Sequence, residues 1–193
     1  MKSVTVFCGA SPGIDSIYKK EAEKLAALLV QQGINIVFGG GKIGMMGTVA
    51  DAALQAGGKV TGVIPIFLKT KEVAHDSLTS MHVVKTMHER KMLMHELSDG
   101  VIALAGGYGT LEELFEMLTW AQLGLHEKPI ALLNTKGYFD HLLQFLDRMN
   151  EEGFLNDVNR KMILVHEDPE ILLEMMRNYV APNVPKWISS DEV

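Results

Sequence analysis

The chain holds a single cysteine, Cys8, in 193 residues, so no intramolecular disulfide framework supports it. That cysteine sits in the apolar run Val4–Cys8 and reads as a small buried hydrophobe rather than a reactive thiol. Positive charge is also short: 18 Lys+Arg against 24 Asp+Glu leave a formal net charge of −6. This balance argues against a nucleic-acid polymer as partner, because neutralising its phosphates takes a basic face. No apolar run approaches the roughly 20 residues that span a bilayer, and Val60–Leu68 is interrupted by Pro65. The start, Met1-Lys2-Ser3 before Val4–Cys8, is too short for a signal-peptide core. A cytoplasmic protein without membrane contact is expected. Metal ligands are scarce as well. No His-x-x-x-His helix or cysteine pair occurs, and His88 and His95, seven apart on one helical face, lack a third ligand. No metal or cofactor is expected.

What is present suits one folded domain. Hydrophobic residues make up 47% and charged ones 22%, and a chain of this length buries roughly 70% of its unfolded surface. Short β-branched runs at Val4–Cys8, Ile34–Phe38, Lys59–Ile64, Gly100–Leu104, Pro129–Leu133 and Ile163–Val165 read as strands. Helical patterns separate them: Ser16–Gln32, Gly44–Ala56, Thr86–Leu97, Leu111–Leu123, Tyr138–Glu152 and Pro169–Tyr179. Nearly all-apolar strands alternating with helices predict a doubly wound, Rossmann-like α/β domain, with a mostly parallel sheet covered on both faces. The domain is expected over 1–180, with 181–193 as an aperiodic tail or packing arm.

In such sheets ligands bind beyond the carboxyl ends of the strands. Ten of the 18 glycines fall just there, in three windows: Gly9 and Gly13, five in Gly39–Gly47, and three in Gly106–Gly109. Glycine lets the backbone approach a ligand closely, and the helix after each loop offers unpaired N–H groups and a positive dipole end. An anionic ligand is expected, with Gly9, Ser11, Gly39, Gly40, Gly41 and Gly44 as candidate loop contacts.

Each window admits sharper readings. Gly9-x-Ser11-x-Gly13 matches a nucleophile elbow, but Pro12 lacks the N–H an oxyanion hole needs there, so Ser11 reads as a turn or ligand-contacting hydroxyl. Gly39-x-Gly41-x-x-Gly44 matches the dinucleotide fingerprint, yet it comes after the second strand and no acid ends the next one. No Gly-Lys-Ser/Thr closes any loop, which excludes a Walker phosphate loop. In the third window Thr110 and Glu113 fit a capping box, with Thr110 at the N-cap. The same place would put the Glu113 carboxylate beside an anion site, and both readings stand. Arg90 and Lys91 are adjacent, about 100° apart on a helix, so they cannot both face one ligand squarely. They read as a solvated basic pair or as an arginine suited to phosphate or a heterocycle edge.

Taken together, these segments resemble the LOG ("lonely guy") family of cytokinin riboside 5′-monophosphate phosphoribohydrolases, formerly labelled lysine decarboxylases. The likeness is carried by Gly39-Gly40-Gly41, Gly44-Met45-Met46-Gly47, Met87-His88-Glu89-Arg90-Lys91 and Gly106-Gly107-Tyr108-Gly109-Thr110-Leu111-Glu112-Glu113. It extends through Thr119–Gly124, Lys128-Pro129 and Leu133-Asn134 to Gly153-Phe154, and covers Val4 to about Tyr179. The family's usual proline before the glycine pair is Ala105 here, which implies a slightly looser loop. The resemblance implies hydrolysis of the N-glycosidic bond of a nucleoside 5′-monophosphate, to free base and ribose 5-phosphate, with no cofactor and in a homodimer. Arg90 and Glu113 match the catalytic pair. Glu72, Lys91, Gly106–Glu113 and Thr119 match nucleotide-contacting positions. A nucleotide-binding or sensor protein that holds AMP-like ligands without turnover is the alternative.

Overall fold

The computed structural model describes residues 1–69 and 74–182. Seven strands alternate with helices: β1 Ser3–Phe7, β2 Asn35–Phe38, β3 Val60–Pro65, β4 Ser80–Val84, β5 Val101–Ala103, β6 Ile130–Leu133 and β7 Ile163–His166. The helices are α1 Ser16–Gln31, α2 Gly44–Gln55, α3 Met87–Glu96, α4 Tyr108–Gln122, α5 Asp140–Glu151, α6 Asp157–Arg160 and α7 Pro169–Arg177. The strands form one sheet in the order β4-β3-β2-β1-β5-β6-β7, and every adjacent pair is parallel.

Because side chains alternate across a strand, each apolar run feeds two cores at once. Val4, Val6, Ile36, Phe38, Ile102, Leu104, Ala131 and Leu133 face one layer, which α1, α2 and α7 complete through Leu25, Leu29, Val49, Leu172 and Leu173. Phe7, Val37, Val101, Ala103, Ile130 and Leu132 face the other, where Met94 of α3, Leu114 and Met117 of α4, and Leu146 of α5 pack. Strands buried on both faces have no polar side to show, which is why they read as continuous apolar runs.

β4 escapes that signature. Its residues are exposed or half-buried, it pairs only with β3, and it forms the edge of the sheet. The six strands expected are therefore seven. The short α6 was likewise not expected. Among the described residues no helix is long and apolar enough to cross a membrane. Of the expected tail, 183–193 lie outside the described residues.

Strand order reverses at β1, whose neighbours are β2 and β5. The chain leaving β1 and the chain leaving β5 thus part over the carboxyl edge of the sheet, and a crevice opens between them.

Candidate active site

That crevice is a cavity of about 570 Å³. Its walls are the β1–α1 loop with Gly9, Ser11 and Gly13, the β5–α4 loop with Gly106 and Gly107, and Gly39, Arg90, Thr110, Glu112 and Glu113. Apolar side chains (Val6, Phe7, Met45, Met46, Leu68 and Met87) line the remainder, with Tyr18 and Tyr138.

α4 begins earlier than the expected capping box allows. Its N-cap is Gly107, and Thr110 lies inside the first turn, where its hydroxyl packs against Gly106. Thr110 is buried, and Glu113 falls one turn further along, on the cavity side. The reason is steric: Gly106 leaves room for the Thr110 side chain, so the helix starts on the glycines. The N-cap residue of this helix, a glycine, has no side chain to cap it, whereas Asp15 caps α1, Thr86 caps α3 and Asp168 caps α7. The first N–H groups of a helix have no partner of their own, so at α4 they form a positive opening against the cavity. A related arrangement lies at α3, where the hydroxyl of the N-cap Thr86 accepts from Glu89 N and the Glu89 carboxylate accepts from Lys85 N, one residue before the cap.

The second glycine loop has another use. Met45 N of α2 donates to Gly9 O at 3.0 Å, so one donor of this helix start is spent on the first loop. Gly44, at φ +62°, approaches the Ala10 carbonyl so closely that a Cβ would lie 2.1 Å from its oxygen. Gly40, Gly41 and Gly44 are not in the cavity wall, and Gly39 alone of the four candidate glycines there lines it. The first and third loops carry the wall.

Arg90 is 5% exposed. Its Nη2 donates to Gly39 O at 3.2 Å, an Nη1 contact reaches Met87 Sδ at 3.8 Å, and Nε has no hydrogen-bond partner among the described residues. A buried cation with an unspent donor is unfavourable unless something anionic or polar meets it. Cys8, also in the cavity wall, feels both Glu113 and Arg90. Burial pushes its thiol far up, the Glu113 carboxylate adds to the rise and Arg90 opposes it, so Cys8 stays a neutral wall atom.

Lys91 turns away from Arg90, as adjacency on a helix requires. Its Nζ pairs with Glu112 at 2.5 Å and Glu116 at 3.0 Å, joining α3 to α4. Burial works against this ammonium, but the two carboxylates outweigh it and raise its pKa. Thr119 is exposed on α4, where its hydroxyl bonds Phe115 O. Tyr108 is 94% exposed, and Leu111 packs toward the core below α4. Lys91, Tyr108, Leu111 and Thr119 thus stand outside this chain's cavity. Glu72 lies outside the described residues.

Among the cavity residues missed from sequence, Tyr138 comes from a fourth strand end. After β6 the chain makes a single 3-10 turn, Thr135–Gly137, and delivers Tyr138 to the cavity. Its signal is present in the sequence: the apolar run Pro129–Leu133 closes on Asn134 and Gly137, turn-forming residues at the same edge of the sheet as the three glycine windows. Two hydrogen bonds hold the loop at Ala105 and Gly106: Gly9 N to Ala105 O at 3.1 Å, and Tyr138 Oη to Gly106 O at 2.6 Å. Among the described residues no group of three or more His, Cys, Asp or Glu is placed to hold a metal ion. His95 instead packs on Trp120 and His126, with ring centroids 5.4 and 4.9 Å away.

Comparison with known proteins adds to this geometry. Residues 46–176 match a family model described as "Possible lysine decarboxylase". The chain is 47% identical over 178 residues to a cytokinin riboside 5′-monophosphate phosphoribohydrolase of Rhodococcoides fascians, covering 92% of this chain and 90% of that one. It is 44% identical over 179 residues to an Arabidopsis thaliana protein of the same description, covering 93% and 84%. In fold it is similar to the molybdenum cofactor binding protein of Rippkaea orientalis, with a TM-score of 0.68 at 23% identity over 92% of this chain and 97% of that one.

Proposed function

The chain belongs to the family that this model and these phosphoribohydrolases define, and on that premise we propose that it hydrolyses the N-glycosidic bond of a nucleoside 5′-monophosphate. Its substrate is a cytokinin riboside 5′-monophosphate or AMP, and its products are the free base and ribose 5-phosphate. The observation that carries this reading is the placement of Glu113 and the buried Arg90 on one cavity, beside the uncapped start of α4.

As base and sugar separate, positive charge develops on the ribose ring. Glu113 stabilises that charge and orients the attacking water, whose hydroxyl joins the anomeric carbon while its proton goes to the departing base. Arg90 meets the charge on that base or clamps the phosphate. The amides at Gly107–Thr110 hold the 5′-phosphate, and this binding energy positions the reacting carbon. We also propose a homodimer. Lys91 and Thr119, matched to nucleotide-contacting positions, stand outside the cavity of their own chain, and a second copy accounts for them.

Incubation with AMP is expected to yield adenine and ribose 5-phosphate in equal amounts, and adenosine is expected to react far more slowly. Glu113→Gln is expected to lower the rate by about 10²-fold or more. AMP bound without products would make the protein a nucleotide sensor instead. An unchanged rate in the Gln variant would remove Glu113 from the mechanism.

A further inference from the structure

Tyr138 is the one tyrosine of the cavity whose hydroxyl is committed to a loop of the site, donating to Gly106 O at 2.6 Å. That carbonyl belongs to the peptide joining Gly106 to Gly107. Neither flanking residue has a Cβ, so side-chain sterics do little to choose between this peptide orientation and its flip. In a trans peptide the C=O and N–H point in opposite directions. Holding the Gly106 oxygen at Tyr138 therefore aims the Gly107 N–H away from the ring. A flipped peptide would put a carbonyl oxygen where that N–H stands, at the mouth of the α4 amides, and a phosphate would be repelled there.

The turn that carries Tyr138 is built for placement. Lys136 adopts a left-handed conformation at φ 57°, unusual for a residue with a side chain. Its Nζ pairs with Asp15 Oδ2 at 2.7 Å, tying the turn to the β1–α1 loop. The Asn134 amide donates to Asp140 Oδ1 at 2.7 Å and its oxygen accepts from Phe139 N at 2.8 Å. The Tyr138 ring stands edge-on to Tyr18, with centroids 5.6 Å apart. Backbone, ion pair and ring contact all converge on the position of one hydroxyl.

We propose that Tyr138 is a positioning residue for the substrate's 5′-phosphate, acting through the Gly106–Gly107 peptide whose N–H it holds ready as a donor. The proposal rests on the nucleotide reading of the site. It predicts that the hydroxyl matters to ligands that carry the phosphate and is indifferent to those that lack it.

The test compares the parent chain with Tyr138→Phe, which keeps the ring contacts and removes only the donor. Dissociation constants for ribose 5-phosphate are measured by calorimetry, KM and kcat with AMP, and the inhibition constant of adenosine. The expected result is a rise of roughly five- to twentyfold in the ribose 5-phosphate constant and in KM for AMP. The adenosine constant and the melting temperature should each stay close to the parental value. Unchanged ribose 5-phosphate binding would overturn the proposal. So would equal weakening of adenosine, which would make Tyr138 a general structural support. Should the parent fail to cleave AMP, the hydrolase reading falls, and the ribose 5-phosphate measurement still decides whether Tyr138 orients a phosphate donor.

Discussion

Arg90 occupies its place because residue 39 has no side chain. A Cβ built on Gly39 would lie 1.9 Å from Arg90 Nη2 and 3.2 Å from Met46 Sδ. Gly39→Ala therefore drives the guanidinium out of its pocket and breaks the bond to Gly39 O. The surrounding strand β2 is untouched, so the chain still folds. Misplacing a catalytic group by an ångström costs about 10²-fold in rate. The expected outcome is a kcat/KM for AMP lowered by about that factor, with circular dichroism retained; a variant as active as the parent would refute the link between Gly39 and Arg90. This dependence was half legible in the sequence. The glycines announced a close approach, but sequence spacing could not say that the approaching group at Gly39 is an arginine side chain 51 residues away rather than a ligand phosphate. Adjacency on one helix likewise allows only one of Arg90 and Lys91 to face the cavity squarely, and the partner that draws Lys91 away, Glu112 with Glu116 of α4, is visible only in the fold.

Elements were legible where burial wrote its period into them. β1, β2, β5 and β6 are sandwiched between helices and show it as largely apolar runs, in which Thr5 of β1 is a buried polar exception. β4 is an edge strand with a mixed exposure pattern, and its sequence Ser80–Val84 carries no such mark. α4 starts at Tyr108 and not after Thr110, because Thr110-x-x-Glu113 satisfies a local rule that tertiary packing overrides at Gly106. Between α3 and the loop after α4, the His95 and His126 rings show an effect that belongs to this junction. His126 Nε2 bonds Met117 O at 3.0 Å, its Nδ1 accepts from Lys128 N, and Lys128 Nζ donates to His95 O at 2.6 Å. Burial foremost pushes both imidazoles down from 6.5 to about 4; the Lys128 charge adds to the fall at each, and the bond to Met117 O opposes it at His126. The unfolded chain thus binds protons that the folded chain refuses between those values. Stability from this junction is complete above pH 6.5 and is lost as pH falls toward 4. Asp15, Asp99 and Asp168, whose pKa values are lowered by hydrogen bonds, act below 3.8 and leave that window clear. The melting temperature is expected to fall between pH 6.5 and 4, and less so in a His95→Gln, His126→Gln double variant. An identical slope in the two proteins would place the acid sensitivity elsewhere.

At the scale of the whole molecule, an acidic protein is asked to hold a dianion. Its net charge of −6 sets up a long-range field that repels a nucleotide monophosphate. The attraction is local: the open start of α4 and the single buried Arg90 lie at the carboxyl edge of an all-parallel sheet, where strand order reverses. The nearby Lys91, which would otherwise extend a basic funnel, is neutralised by two carboxylates. These two fields respond differently to salt. Screening acts over about 10 Å at 0.1 M, so it removes the distant repulsion while barely touching contacts made at hydrogen-bond distance inside the cavity. An enzyme that steers its anionic substrate with a basic surface slows steeply as ionic strength rises. This chain is expected to do the opposite: kcat/KM for AMP should stay level or rise up to about twofold between roughly 20 and 150 mM sodium chloride. Stopped assays at fixed pH across that range measure it directly. A severalfold fall would mean that exposed cations, and not the buried arginine and helix amides, bring the phosphate in.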